Sequence, residues 1–297
     1  MDIRSGRLDD LDQLVVLNTA VRPYAVGARE GLSSGLAAVT DGTGVAFAAE
    51  LDGQLIGWSV VRPAPWLNSD DAYSLQVIVH PDHRRQGIGT QLLRACEAWL
   101  EARSTWLAQT IADEHGIEFA RRAGFTVAGE LTYAGVELDG AAPTVQVPEG
   151  LTLVPLSQLT PRDVFPVYRE TAADIPGGSA IDAEFDWYES HVWSGPLFDP
   201  ELSVALVDGG VVVAFSIAFR EETRLWTDMT GTASSHRGRG LAGVVKAASL
   251  AAARNAGVTA AYTMMNLVNE PMLTVNRRLG YRPVGLRTQL TKSHRPG

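Results

Sequence analysis

Hydrophobic and polar positions along this chain follow two alternating rhythms, and the whole succession of rhythms runs through twice. Asp2–Arg4 reads as a short strand, and Leu8–Asn18 as a helix opening on Asp9 and Asp10. The stretch from Tyr24 to Val39 reads as partly helical, partly loop. Val45–Leu51 and Leu55–Arg62 predict a hairpin across Asp52-Gly53, a strong turn signal. Tyr73–Val79 predicts a strand, Ile88–Arg103 an amphipathic helix, Trp106–Thr110 a strand and Gly116–Ala123 a helix. The span from Val127 to Val136 predicts two closing strands. The second half predicts the same order: Thr152–Val154, Pro161–Ala172, a region around Asp182–Trp193, then the hairpin Ser203–Val207 with Val211–Arg220. Leu225–Thr232, Leu241–Ala256, Thr259–Met264, Pro271–Leu279 and a closing pair ending near Leu290 follow. Strands outnumber helices and most neighbours are hairpins, which predicts an α+β fold with a mixed, mostly antiparallel sheet.

Short motifs repeat with the rhythm. Val77 to Gly89 contains Arg84-Arg-Gln-Gly87-Ile-Gly89, and Thr230 to Ala242 contains Arg237-Gly-Arg-Gly240-Leu-Ala242. Gly53 is echoed by Gly209, and Arg122-Ala-Gly-Phe125 by Arg278-Leu-Gly-Tyr281, at offsets of 153 to 156 residues. A period this long means two tandem domains and not a solenoid. We expect a first domain at 1–140, a linker at 141–150 within a Pro-, Gly- and Ala-rich stretch, and a second domain at 151–297. Each motif couples a strand to a glycine-bearing turn and then to a long helix. That arrangement aims main-chain N–H groups and the positive end of a helix dipole at one point, a site suited to a pyrophosphate.

Composition narrows the reading. With 45% hydrophobic residues the chain can bury two cores. No apolar run of about 18 residues occurs, and the start reads as a strand instead of a signal peptide, so the cytoplasm is the expected compartment. The single cysteine, Cys96, lies among Leu92, Leu93 and Trp99 and reads as core packing. A formal net charge of −9 speaks against nucleic acid or an anionic membrane as partner and for a cationic substrate. Gly238-x-Gly240-x-x-Gly243 also fits a dinucleotide fingerprint, but no acidic residue occurs in Val258–Val268 to hold a ribose. Neither loop carries the Gly-Lys-Ser/Thr of a P-loop, and metal-ligand spacing is absent.

Strand, Arg-x-x-Gly-x-Gly/Ala turn, long helix, strand, short helix and Gly-Phe or Gly-Tyr together resemble the GNAT N-acetyltransferases, once per half. The tandem arrangement is similar to that of mycothiol synthase-like acetyltransferases. The resemblance implies acetyl-CoA as co-substrate, no metal, and a small-molecule amine (an amino sugar, antibiotic or metabolite) as acceptor, in a monomer or homodimer. Carried over by position, it implies that Val77, Ile78 and Val79, and Thr230, Gly231 and Thr232, contact the coenzyme through their main chain. Arg84, Arg85, Gln86, Gly87, Ile88, Gly89 and Thr90, and Arg237, Gly238, Arg239, Gly240, Leu241, Ala242 and Gly243, would form the two pyrophosphate loops. Small residues there let the phosphates approach the backbone.

Acyl transfer to an amine needs a neutral nucleophile. An ammonium of pKa near 10 is about one part in a thousand neutral at pH 7, a penalty of roughly 4 kcal/mol, so the site must take up a proton. The strand before the first loop, Tyr73–Val79, has no carboxylate; the strand before the second has Asp228, the expected base. The tyrosine that GNAT enzymes use as acid is replaced by Ala120 and Asn276. Tyr262 is a further acid candidate, and Asn266, Asn269 and Asn276 are candidate hydrogen-bond partners of the coenzyme. Asn269 also reads as a helix N-cap. The acidic, aromatic stretch from Asp174 to His191 is the expected acceptor lining, with Asp174, Asp182 and Trp187 its named members. The second half is therefore expected to be catalytic, the first a second coenzyme-binding or structural domain. Two further readings stand beside this one: transfer of another acyl group or to an oxygen acceptor, and a catalytically inactive CoA sensor.

Overall fold

Two hairpins show how local chemistry starts each half. Between β2 (Val45–Leu51) and β3 (Gln54–Pro63) the turn residues Asp52 and Gly53 have φ of 51° and 79°, and Leu51 faces Gln54. Between β8 (Val204–Asp208) and β9 (Val211–Glu221) the turn is Gly209-Gly210, with φ of 54° and 89°. Two consecutive positive φ values match the right-handed twist of the flanking strands, so these two-residue turns set the register of each hairpin.

The computed structural model describes residues 1–64, 67, 69–140, 143–174 and 184–294, the side chains of Ser34 and Asn266 excepted. It divides into two units, one of residues 1–130 with 287–297, the other of residues 131–286. In the first, β1 (Asp2–Ser5), β2, β3 and β4 (Ala72–Val79) run antiparallel in that order. Helices α1 (Leu11–Val21) and α2 (Ala28–Thr40) cover one face through Leu14, Leu17 and Leu36 against Trp58 and Val60. Helix α3 (Ile88–Glu101) covers the other through Leu92, Leu93 and Cys96; α4 is Ile117–Arg122 and β5 Trp106–Ala112. The second unit repeats this with β7 (Leu151–Pro155), α5 (Pro161–Ala173), α6 (Phe185–Tyr188), β8, β9, β10 (Arg224–Thr232), α7 (Leu241–Asn255), β11 (Ala260–Asn266) and α8 (Glu270–Arg278). Both units are mixed, mostly antiparallel α+β structures, each with four α-helices among the described residues.

The closing strands differ from expectation. Instead of two short strands per half, residues 126–137 form one strand, β6 (Thr126–Glu137), and the chain ends in another, β12 (Arg282–His294). Residues 131–137 of β6 pair antiparallel with β11, and residues 288–294 of β12 pair antiparallel with β5. Each half therefore lends its last strand to the sheet of the other. The division expected at 140 and 151 is crossed by this exchange, because the compact units pass the chain between them inside β6 and β12. Gly135 fits its adopted place closely: a Cβ there would come 2.8 Å from the Tyr262 ring.

Candidate functional site

Both units open the same gap. β4 and β5 pair in parallel only at Ala72–Ser74 with Leu107–Gln109, and β10 and β11 only at Arg224–Trp226 with Ala260–Tyr262. Beyond those residues each pair splays, so among the described residues Val77–Val79 have no pairing with β5 and Thr230–Thr232 none with β11. At the mouth of each gap a 3-10 turn (Pro81–His83, Ser234–His236) leads into the glycine loop and the helix. The backbone repeats closely: φ is 64° at Arg85 and 76° at Gly238, then 82° at Gly87 and 74° at Gly240. Gly87 and Gly240 immediately precede α3 and α7, whose first amides lack helical acceptors.

The loop arginines have a role that sequence reasoning missed. Arg84 Nε donates to the Val79 carbonyl at 3.3 Å, and Arg237 Nε to the Thr232 carbonyl at 3.3 Å. Each guanidinium thus pins its loop to the end of the preceding strand. Arg237 also pairs with Asp174 at 2.5 Å and with Glu170 at 3.7 Å, which ties the end of α5 to the second loop. Asp174 is committed to that bond, and Asp182 lies outside the described residues.

In the first unit the gap is a cleft of about 820 Å³. Val77, Ile78, Val79, Arg84, Arg85, Gly87, Ile88, Gly89 and Thr90 line it; Gln86 does not, and its amide turns back toward the Asp82 carbonyl at 3.5 Å. Leu93, Ala120 and Phe125 form apolar floor, while Arg22 and Arg287 add positive charge. Burial, and then the like charge of Arg22, lower the Arg287 guanidinium to about 10. Gln76, with its amide oxygen turned toward Arg22, accepts from both guanidinium NH2 groups at 2.7 and 2.8 Å.

The first turns of α3 and α7 leave open space. The backbone at Gly89 and Gly243 does not demand glycine, and an added Cβ would find its nearest neighbour at 3.6 Å beside Gly89 and none within 4 Å at Gly243. Small residues in the first helical turn leave room for a phosphate to approach the amides. No group of three or more potential metal ligands occurs among the described residues.

The second unit carries a feature absent from the first. β4 pairs with β3 without interruption, but β10 has a β-bulge: Thr227 faces Ala218 and Thr230 faces Ser216, so Asp228 and Met229 together oppose Ile217. A bulge bends the strand and re-aims its side chains. Asp228 is reached by solvent, yet the protein around it thins that solvent enough to push its carboxyl up to about 6, against a bond from Trp226 that lowers it. Tyr168, within reach of the Asp228 charge, is buried with its ring 4.5 Å from that of Tyr188. Burial, and then the Asp228 charge, raise the Tyr168 phenol above its ordinary range. Close packing puts α5 here: a Cβ on Gly231 would come 2.1 Å from Thr171 Oγ1.

The remaining sequence candidates fall into other roles. The Tyr262 ring lies over Gly135, and its phenol is raised by burial and then by Glu137, so no contact brings it to Asp228. Asn269 caps α8, accepting from the Met272 amide at 3.3 Å. Trp187 stacks on His191, ring centroids 4.9 Å apart. Asn266 ends β11. Asn276 is buried, donates to the Met265 sulfur at 2.5 Å, and leaves its Oδ1 without a partner among the described residues.

Splayed strands closed by a glycine loop and a helix N-terminus occur twice, once in each unit. Residues 20–125 match the model of the acetyltransferase (GNAT) family, and the chain over its whole length has the fold of a tandem GNAT protein. Similar solved structures include a GCN5-related N-acetyltransferase from Sphaerobacter thermophilus, 20% identical with a TM-score of 0.75 over 100% of this chain and 96% of that one. A tandem GNAT protein from the clavulanic acid biosynthesis pathway is 18% identical, with a TM-score of 0.73 over 100% of both chains. An acetyltransferase from Pyrococcus horikoshii is 16% identical, with a TM-score of 0.60 over 99% of this chain and 89% of that one. No curated protein matches the sequence. No described helix is long and apolar enough to cross a membrane.

Proposed function

We propose that this protein transfers the acetyl group of acetyl-CoA to the amine of a small molecule, and that the second half performs the chemistry. The observation that carries the assignment is Asp228: a carboxylate on the bulge of the splayed strand, near buried Tyr168, with its pKa raised to about 6. A carboxylate near that value is ionised at pH 7 and still basic enough to take a proton from an ammonium held against it. The free amine attacks the thioester carbonyl, and main-chain N–H groups of the splayed strand support the oxyanion. The loop and first turn of α7 hold the pyrophosphate.

The first half suits a different acceptor. Its strand has no carboxylate, and Arg22 and Arg287 are among the residues lining its cleft. It serves as a second coenzyme site or as scaffold in this reading. A second reading, with the first half catalytic toward an anionic acceptor, is favoured by the family match at 20–125 and by the cleft lined with those two arginines.

Gly89 and Ala242 occupy matched places in the first turns of α3 and α7. Acetyl-CoA with an amine panel, followed by release of free thiol, tests the assignment when each is replaced by Trp. Loss of turnover in Ala242→Trp with retention in Gly89→Trp supports the second half; the reverse pattern assigns catalysis to the first. Thiol release by neither wild type nor Gly89→Trp, with any amine, overturns the transferase reading.

A further inference from the structure

The two clefts have different floors. Helix α3 starts after Gly87 and α7 after Gly240, so Leu93 and Lys246 are each the sixth residue of their helix. The short helices end alike, with the Phe125 amide bonded to the Ala120 carbonyl at 3.0 Å and the Tyr281 amide to the Asn276 carbonyl at 3.0 Å. Gly124 and Gly280 both have φ of 87°. Three positions are thereby matched. In the first unit they are Leu93, Ala120 and Phe125, all apolar and all lining the cleft. In the second they are Lys246, Asn276 and Tyr281, all polar, only 1%, 1% and 2% exposed.

The polar trio is one cluster. Lys246 Nζ lies 4.6 Å from the centre of the Tyr281 ring, and the Tyr281 hydroxyl meets Thr227 Oγ1 at 3.3 Å, one residue before Asp228. Burial pulls the Lys246 ammonium down to about 7 and raises the Tyr281 phenol above its ordinary range. α7 packs on β8, β9, β10 and α8. From these elements and from β12, Tyr281 is the titratable group against Lys246, and no carboxylate acts on it among the described residues. A buried lysine on which no carboxylate acts among the described residues is costly to fold and fits a site that receives negative charge during turnover.

We propose that Lys246 is a catalytic residue that stabilises and protonates the sulfur leaving the thioester, with Asn276 and Tyr281 completing a polar floor under that sulfur. This deepens the assignment of catalysis to the second half. The acceptor enters as an ammonium and loses one proton to Asp228, which passes it to water. Its nitrogen pair then forms the new bond to the carbonyl carbon. The C–S bond breaks with its electron pair on sulfur, and the sulfur takes a proton from the Lys246 ammonium. The acylated nitrogen loses its second proton through Asp228, and Lys246 regains one from solvent. Amide and coenzyme A thiol result, with one net proton released.

The test needs no turnover. Free coenzyme A is titrated with pH in the presence of excess protein, and the ultraviolet absorbance of the thiolate is followed. Wild type is expected to hold about tenfold more thiolate at pH 7 than the coenzyme free in solution, a downward shift of about one pKa unit. Lys246→Met, close in volume and free of a buried charge, is expected to lose that shift while melting no lower than wild type. In turnover, the wild-type rate is expected to fall as pH rises above about 7, a limb missing from Lys246→Met. If wild type shows no thiolate excess, or Lys246→Met keeps both the excess and the limb, the assignment is overturned. If wild type acetylates no amine but shows the excess, and Lys246→Met loses it, Lys246 stands and the transferase reading alone fails.

Discussion

Replacing Asp228 by Asn should stabilise the protein and disable it. The carboxyl lies at about 6 against an ordinary 3.8, raised by partial desolvation. A shift of about two units corresponds to at most roughly 3 kcal/mol held against the ionised form. Since solvent reaches the side chain, screening reduces this to about 1 kcal/mol. The sign follows from linkage: the native state binds this proton more tightly than the unfolded chain, so Asp228 costs nothing below pH ~4 and its full penalty above pH ~6. Asp228→Asn should therefore melt with wild type at pH 4 and above it by about 2–4 °C at pH 8. Its rate of thiol release with a competent amine should fall about 10²- to 10⁴-fold, and the wild-type rise in kcat/KM through pH ~6 should vanish. Thermal unfolding at the two pH values and a pH–rate profile of both proteins decide the matter. Turnover within twofold of wild type, or an intact rise through pH 6, would falsify the role of Asp228 as base.

Two further expectations concern packing. Gly231→Ala places a Cβ 2.1 Å from Thr171 Oγ1 and 2.8 Å from the Phe215 ring, so it should destabilise by about 1–3 kcal/mol. Chemical denaturation measures this, and Thr171→Ala in the same chain should restore part of the loss. Cys96 is fully buried, and burial pushes its thiol up to about 12. Native protein at pH 8 should therefore give no reaction with a thiol reagent, and unfolded protein one equivalent; a fast native reaction would contradict the packing of α3.

The loops were readable because their cause is local. Glycine at 87 and 240 answers a positive φ, and glycine at 209 and 210 answers a two-residue turn, whatever the rest of the chain does. Asp228 was legible as the carboxylate on the second of two matched strands, and Cys96 as one apolar position of a helix. Asn269 showed its cap signature. The tie of Arg237 to Asp174 was not legible, since it joins residues 63 apart through folding of α5 against the loop. Lys246 gave a faint signal that went unread: a lone cation inside the Ala-, Val- and Leu-rich run of α7.

By itself the sequence determined the repeat, the order of elements, the register of the hairpins and the conformation of the two glycine turns. Each is set by residues within a few positions of one another or by side-chain alternation. The tertiary structure decided which sheet each closing strand joins and what the floor of each cleft is made of. β6 and β12 are locally alike, and an extended strand carries no mark of its partner; the pairing is chosen by long-range fit, as of Gly135 beneath Tyr262. Likewise a lysine in a helix is ordinary until packing removes it from water, and only then does its charge become available for chemistry.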